Sequence, residues 1–275
     1  MSFQQYPMIH HPCFSSNRNN LWARIHLPVA QRCNVKCIFC DHNAGNSCHT
    51  GKPGYASSLM TPSEAIARTV MEMERNSNLR IIAISGPGEP LFNDETFVFL
   101  EKISSLKKDR KICLSTNGVL LEEKAAYLQQ IRVDSISVSM NAIHPTTAAK
   151  VYEWALIDND LMTGIEMGKR IISKQLNGIS IATELGISLK VNTVLIPEIN
   201  ANEISILAKR IAKAGAILQN IVPLVPCSKT TCLIPPTFDE LASARKIGGE
   251  SIPQFYHCKQ CRSDVVGVPG DDRVL

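Results

Sequence analysis

At positions 33–40 the sequence reads CNVKCIFC, with the aromatic Phe39 directly before the third cysteine. Cys33, Cys37 and Cys40 therefore stand at CxxxCxxC spacing on one short segment. Three thiolates on a short loop are soft, anionic ligands that suit three irons of a four-iron cluster and leave the fourth iron open. A zinc loop and three buried free thiols are the alternative interpretations of this spacing.

The sequence on both sides of this segment alternates between strand and helix patterns. Short apolar runs predict six strands, at 22–29, 80–85, 111–115, 135–140, 188–196 and 216–224. Helical periodicity predicts helices near 61–73, 96–107, 122–130, 161–182, 202–214 and 237–246. Capping boxes at Thr61 to Glu64 and Thr237 to Glu240 mark two of the helix starts. The prediction is an α/β protein with a parallel sheet, either a partial (βα)6 barrel or an open doubly wound sheet.

Composition and charge are those of a globular protein. The chain has 275 residues, 44% of them apolar, and a formal charge of +4. This charge is too small and too scattered to indicate nucleic acid or a membrane surface as a partner. Neither a leader segment nor an apolar run of membrane-spanning length is visible, so we expect a cytoplasmic protein. We also expect a single domain, 1–275, with a barrel over about 22–225 and extensions at 1–21 and 226–275.

Glycines and polar residues stand where several predicted strands end. Ligands of α/β proteins bind at the carboxyl ends of parallel strands, where such groups can reach them. By itself the segment at 86–90 could be an ordinary tight turn, and each of the polar residues alone is more often the cap of a strand end. The candidate ligand-binding residues are Gly86, Gly88, Glu89, Ser115, Asn117, Asn141 and Asn192.

The CxxxCxxC segment, with its aromatic residue and its place after the first predicted strand, resembles the defining loop of the radical SAM superfamily. The resemblance implies a partial barrel, a 4Fe-4S cluster on Cys33, Cys37 and Cys40, and S-adenosylmethionine (SAM) bound to its open iron. It also implies a reductant, such as a ferredoxin. The residues at the strand ends would then bind the amino, carboxylate and ribose groups of SAM.

Further segments resemble the NifB family of nitrogenase cofactor maturases. They are HPCFS at 11–15, ARIHLPVA at 23–30, ICLSTNG at 112–118, NIVPL at 220–224 and HCKQCRSD at 257–264. The resemblance covers nearly the whole chain, and we expect the chain to lack the second domain that some members append. The spacing between Cys40 and Cys48 is two residues longer than is usual in the family, and Cys227 and Cys232 match nothing in it.

The resemblance implies two further 4Fe-4S clusters, bound as substrates. Cys13, His26 and Cys113 would hold one, and Cys48, Cys258 and Cys261 would hold the other. For the C-terminal pair the alternative is a structural zinc site shared with Cys48 and a histidine. For His26 the alternative is a hydrogen-bonded residue of the core.

The implied activity is fusion of the two clusters, with a carbide derived from SAM, into the eight-iron precursor of the nitrogenase cofactor. One SAM would donate a methyl group, and a second would yield the 5′-deoxyadenosyl radical. The implied partners are iron–sulfur cluster donors and a downstream cofactor carrier or scaffold. Two other functions remain open: a radical SAM enzyme that modifies a peptide or small molecule and has auxiliary electron-transfer clusters, and a cluster scaffold without catalysis.

Overall fold

The computed structural model describes residues 8–41, 53–227, 230 and 232–275. The strands are β1 (Ala23–His26), β2 (Val35–Cys37), β3 (Leu79–Ile84), β4 (Lys111–Thr116), β5 (Ser135–Ser139), β6 (Tyr152–Ile157), β7 (Asp160–Met162), β8 (Ser188–Leu195), β9 (Leu218–Pro223), β10 (Val265–Val268) and β11 (Asp271–Val274). The α-helices are α1 (Pro62–Arg75), α2 (Asp94–Leu106), α3 (Leu121–Gln130), α4 (Pro145–Val151), α5 (Gly164–Glu184), α6 (Pro197–Asn200), α7 (Ile204–Lys213) and α8 (Phe238–Gly249). Single 3-10 turns lie at Met8–His10, Pro90–Phe92 and Ala201–Glu203.

The main sheet has the order β11-β10-β1-β3-β4-β5-β8-β9. Its strands β1, β3, β4, β5, β8 and β9 pair in parallel, and these are the six predicted strands. The sheet ends at β11 and β9, so the barrel is partial. The α/β prediction is therefore confirmed, and all six carboxyl strand ends meet at one rim.

Alternation along the parallel strands separates the core from the inner surface of the barrel. Ile112, Leu189 and Val191 belong to the apolar core, whereas the intervening Cys113 and Lys190 line an inner cavity. Full burial of one such aliphatic side chain contributes about 1.5–3 kcal/mol. Apolar packing therefore holds the strands in place through one face of the sheet, and the side chains of the other face can line a binding site.

The stretch between β5 and α5 differs from the prediction. The helix predicted over 161–182 begins only at Gly164, because residues before it form β6 and β7. These strands pair with β2 in a second, antiparallel sheet, β2-β6-β7. Periodicity missed this sheet because β2 and β7 are only three residues long.

A C-terminal hairpin extends the main sheet beyond β1. Strand β10 pairs antiparallel with β1, and β11 pairs with β10. Arg24 on β1 is fully buried and donates to the Gly267 carbonyl oxygen (2.8 Å) and to Asp272 Oδ2 (2.5 Å). The extension at 226–275 is thus anchored to the first strand of the barrel.

Candidate functional site

A cavity of about 390 Å³ lies at the carboxyl ends of the parallel strands, within the size range of cofactor pockets. Its lining includes most of the residues singled out from the sequence: Cys13, His26, Cys33, Cys37, Cys40, Gly88, Glu89, Cys113, Ser115, Asn117, Asn141, Asn192, Cys258 and Cys261. Gly86 is not among the lining residues, although its neighbours Ser85 and Pro87 are. Cys48 lies outside the described residues. The N-terminal extension, the strand ends and the C-terminal CxxC thus converge on one space.

The small antiparallel sheet positions the CxxxCxxC segment. Cys37 lies opposite Tyr152 in the pairing of β2 with β6, and Ile38 N donates to the Val151 carbonyl oxygen (3.0 Å). Burial raises the pKa of the Cys33 thiol to about 12 and that of Cys37 well above its usual value. These thiols are protonated without a metal, and binding of iron would displace their protons.

Glu89 joins the end of β3 to the end of β4. Its carboxylate accepts hydrogen bonds from Leu91 N (2.9 Å), Thr116 Oγ1 (2.6 Å) and Asn117 N (2.5 Å). Burial raises the pKa of this carboxyl to about 7 although the hydrogen bonds oppose the shift. Asn117 in turn points its Nδ2 at Asn34 Oδ1 (2.8 Å) and towards Cys33 Sγ (3.8 Å). Glu89 therefore orients the strand ends beside the cysteine segment.

The glycine at position 88 is required by the protein backbone itself. Gly88 N donates to the Ala30 carbonyl oxygen at 2.8 Å, and a Cβ at this position would lie 2.7 Å from Gln31 C, with the Arg32 carbonyl oxygen nearer still. Any larger residue would separate the 86–90 loop from the chain that leads into Cys33. The 86–90 loop and the chain that leads into Cys33 therefore approach each other closely, and residues of both border the cavity.

His26 has the environment of an available ligand. Its Nδ1 lies 2.9 Å from the Arg262 carbonyl oxygen and 3.2 Å from Ser85 Oγ. Donation of Nδ1–H to the carbonyl leaves the lone pair on Nε2, which is the arrangement common for metal-binding histidines. Burial lowers the pKa of His26 to about 3, so the ring is neutral at physiological pH. His26 borders the same cavity as Cys13 and Cys113.

The C-terminal CxxC lies against the segment that follows the undescribed residues 42–52. Gly54 N donates to the Cys261 carbonyl oxygen (3.0 Å), and Ser263 N donates to the Tyr55 carbonyl oxygen (2.8 Å). Burial raises the pKa of Cys261, and the neighbouring Arg24 opposes the shift. Cys261 is therefore fixed between Arg24 on β1 and residues 54–55.

Cys13 is near the other predicted cysteine ligands. It packs against the buried cluster that contains Cys113, and it interacts electrostatically with both Cys113 and Cys261. Cys13 N donates to His11 Nδ1 at 3.1 Å, which orders the turn that carries it. The ligand sets predicted for the two substrate clusters are thus adjacent in the described part of the chain.

The chemistry of these side chains fits iron–sulfur clusters. Eight described thiols and imidazoles of the predicted sets face one cavity, and all nine described cysteines are free of disulfides. Within residues 8–41, 53–227, 230 and 232–275, no three His, Cys, Asp or Glu side chains are grouped tightly enough to hold a single metal ion. Soft thiol donors around a wide space suit clusters.

Comparison with known proteins places the chain in a family. The radical SAM superfamily profile matches residues 27–211. "FeMo cofactor biosynthesis protein NifB" of Methanocaldococcus jannaschii is 38% identical over 265 residues, which cover 96% of this chain and 88% of that protein. The chain belongs to the NifB family. The protein of the same name from Klebsiella pneumoniae is 36% identical and matches 96% of this chain over 58% of its own length.

A solved structure agrees with the fold of this NifB-family chain. A histidine-tagged "anSMEcpe with bound AdoMet" superposes with a TM-score of 0.50 and 15% identity, over 74% of this chain and 51% of that one. At this identity the likeness concerns the fold alone. Among the described residues, no helix has the length and apolarity needed to cross a membrane.

Two predicted polar residues of this NifB-family chain are engaged by protein groups. Asn141 accepts from Val194 N (2.8 Å), and its carbonyl oxygen accepts from Asn200 Nδ2 (2.9 Å). Asn192 accepts from Asn220 Nδ2 (3.0 Å). Both border the cavity while they hold the rims of β5, β8 and β9 together.

Sequence reasoning missed three residues of this NifB-family chain that shape the cavity. Gln175 on α5 donates to the carbonyl oxygens of Asn117 (2.7 Å) and Ser139 (3.0 Å). Lys190 lines the cavity itself, and Cys227, left unassigned, lines it with its thiol 3.4 Å from the Ile38 carbonyl oxygen. A lysine within a predicted parallel strand, where charged residues are uncommon, was the available signal for Lys190.

Proposed function

We propose that this chain is a radical SAM maturase that fuses two 4Fe-4S clusters, with a carbide derived from SAM, into the eight-iron precursor of the nitrogenase cofactor. One observation carries the proposal: the CxxxCxxC segment and the described members of both predicted substrate-cluster sets border a single cavity. Fusion requires that both substrates and the radical source share one protected space, and this arrangement supports that requirement.

In this proposal Cys33, Cys37 and Cys40 hold the resident cluster. That group, when bound, supplies the electron that cleaves SAM to the 5′-deoxyadenosyl radical. The chain positions SAM through the backbone of the 86–90 loop, Gly86 included, and through the rim groups Ser115, Asn117, Asn141 and Asn192. Glu89 acts by orienting Asn117 and Thr116.

The substrate clusters would be held by Cys13, His26 and Cys113, and by Cys48, Cys258 and Cys261. Each substrate cluster would have three protein ligands, and the first set includes the imidazole of His26. Such a set suits a substrate cluster that must later be released. The adjacency of Cys13 to both Cys113 and Cys261 supports placing the two substrates side by side. The segment from Cys258 to Cys261 would also keep water from the radical.

The test is anaerobic reconstitution with iron and sulfide, followed by dithionite and SAM carrying a 13C-methyl group. We expect about twelve irons per chain, formation of 5′-deoxyadenosine and S-adenosylhomocysteine, and label retained in an eight-iron product. Absence of 5′-deoxyadenosine would favour a scaffold. Clusters that stay bound and unaltered after turnover would favour an enzyme that modifies a peptide or small molecule.

The partners follow from this chemistry. A maturase of this type needs iron–sulfur cluster donors, a reductant such as a ferredoxin, and a downstream carrier or scaffold for its product. We place it in the cytoplasm, where thiols remain reduced.

A further inference from the structure

Lys190 is a buried cation on the inner face of β8. Its side chain is 3% exposed and borders the cavity, as Asn192 does two positions further along the strand. Burial of a charged ammonium is unfavourable unless another charge compensates it.

The groups found in direct contact with the Lys190 ammonium are uncharged. Its Nζ donates to the Cys13 carbonyl oxygen (3.0 Å) and lies 5.2 Å and 5.3 Å from the ring centres of Phe14 and Phe255. The aromatic faces give partial compensation. The ion pairs found in the described part of the chain do not include Lys190. An anionic group bound in the cavity that Lys190 borders would supply the compensating negative charge.

Lys190 stands beside one predicted ligand set in particular. It holds the Cys13 loop through the carbonyl oxygen of that residue, and it interacts electrostatically with His26 and Cys113. An ammonium has three donors, and one is used by Cys13. Within the residues that the structure describes, no other hydrogen bond from Lys190 is found, so the other two donors could point at sulfur atoms of a bound group.

We propose that Lys190 is the positioning cation of the substrate cluster held by Cys13, His26 and Cys113, and that its charge stabilises the reduced form of that cluster. This inference rests on the proposed function. One-electron reduction adds a negative charge to a 4Fe-4S core, and nearby charge and hydrogen bonds to sulfur set the reduction potential. Loss of Lys190 should therefore make this cluster harder to reduce.

The test is a redox titration of the reconstituted full chain, followed by electron paramagnetic resonance. The cluster is recognised by a nitrogen coupling in pulsed spectra that disappears in His26→Ala. In Lys190→Met we expect the midpoint potential of this signal to become more negative, while Lys190→Arg keeps it near the wild-type value. Lys111→Met is the matched control, because it removes the same charge from β4, where Lys111 pairs with Asp134 (2.9 Å).

Each outcome decides the role of Lys190. An unchanged midpoint in Lys190→Met would overturn it and leave the proposed function intact. Loss of the nitrogen-coupled signal in Lys190→Met but not in Lys190→Arg would support it, because charge then holds the cluster. Loss in both variants would overturn it, because side-chain shape then matters instead of charge. A wild-type protein without the nitrogen coupling would overturn both the ligand set and the role of Lys190.

Discussion

Removal of the Asp272 carboxylate should release the C-terminal hairpin and, with it, the proposed substrate-cluster site at Cys258 and Cys261. Asp272 lies 2.5 Å from the guanidinium of Arg24, whose side chain is 1% exposed, while its own side chain is 21% exposed. Asp272→Ala leaves the buried Arg24 with the Gly267 carbonyl oxygen and the nearby Cys261 as its partners, and with no carboxylate. Breaking a buried pair costs roughly 3–5 kcal/mol, and water can reach the vacated position, so we expect about 3 kcal/mol.

This loss is measurable in two ways. At about 2 °C per kcal/mol, the melting temperature of the metal-free protein should fall by about 6 °C. Because the hairpin directly follows Cys258 and Cys261, the reconstituted variant should also lose about four irons per chain at a temperature where circular dichroism shows it folded.

Asp271→Ala is the control, since Asp271 is an exposed carboxylate on the same strand. It should change neither the melting temperature nor the iron content. An Asp272→Ala protein as stable as Asp271→Ala would refute the role of the Arg24 pair. An unstable Asp272→Ala protein with full iron content would refute the link between the hairpin and the cluster site.

Three further outcomes are expected. Replacement of all three CxxxCxxC cysteines by Ala should abolish 5′-deoxyadenosine formation yet leave about eight irons bound, and complete loss of iron would indicate one shared site. Gly88→Ala should lower the free energy of unfolding by about 1–3 kcal/mol and weaken SAM binding in a filtration assay, because the added Cβ meets the backbone that leads into Cys33. The control is Gly249→Ala, whose Cβ has only an ordinary contact at 3.7 Å and which should change neither quantity. The pKa of Glu203 is lowered, because hydrogen bonds from the backbone of Ile143 and from His144 outweigh the opposing effect of burial. The ionised Glu203 carboxylate therefore stabilises the fold above about pH 4.5, and this stabilisation is lost as pH falls through the depressed pKa. The difference in the free energy of unfolding in urea between wild type and Glu203→Gln should narrow in acid. A difference that stays constant with pH would contradict this role of Glu203.

The parallel strands were predictable because apolar runs of strand length alternate along the sequence with segments of helical periodicity. The antiparallel sheet β2-β6-β7 was not predictable, because β2 and β7 have only three residues each. Strands this short show no clear alternation, and the helical periodicity that follows β7 is stronger. The hairpin β10-β11 was missed for a related reason. Its outer strand, Asp271–Val274, is exposed throughout and has no apolar face.

The candidate site also has a part that the sequence predicted and a part that it did not. Spacing along the chain identified Cys33, Cys37 and Cys40, because one loop carries all three. The pairing of Gly54 with Cys261 connects segments that lie far apart in the sequence, and only the family resemblance anticipated that neighbourhood. Gln175 was unpredictable, since a glutamine within a helix shows no preference for the strand-end carbonyl groups that it binds here.

The position of β1 between β3 and β10 sets an order of events during synthesis. Arg24 meets Gly267 across 243 positions of sequence, so β1 keeps one unpaired edge until the ribosome has made the hairpin. Pairings this distant form late, and an unpaired edge invites association with other chains. Translation that stalls before residue 265 should therefore yield products that aggregate or are degraded. If Cys258 and Cys261 hold a substrate cluster as proposed, its delivery should follow translation of the hairpin.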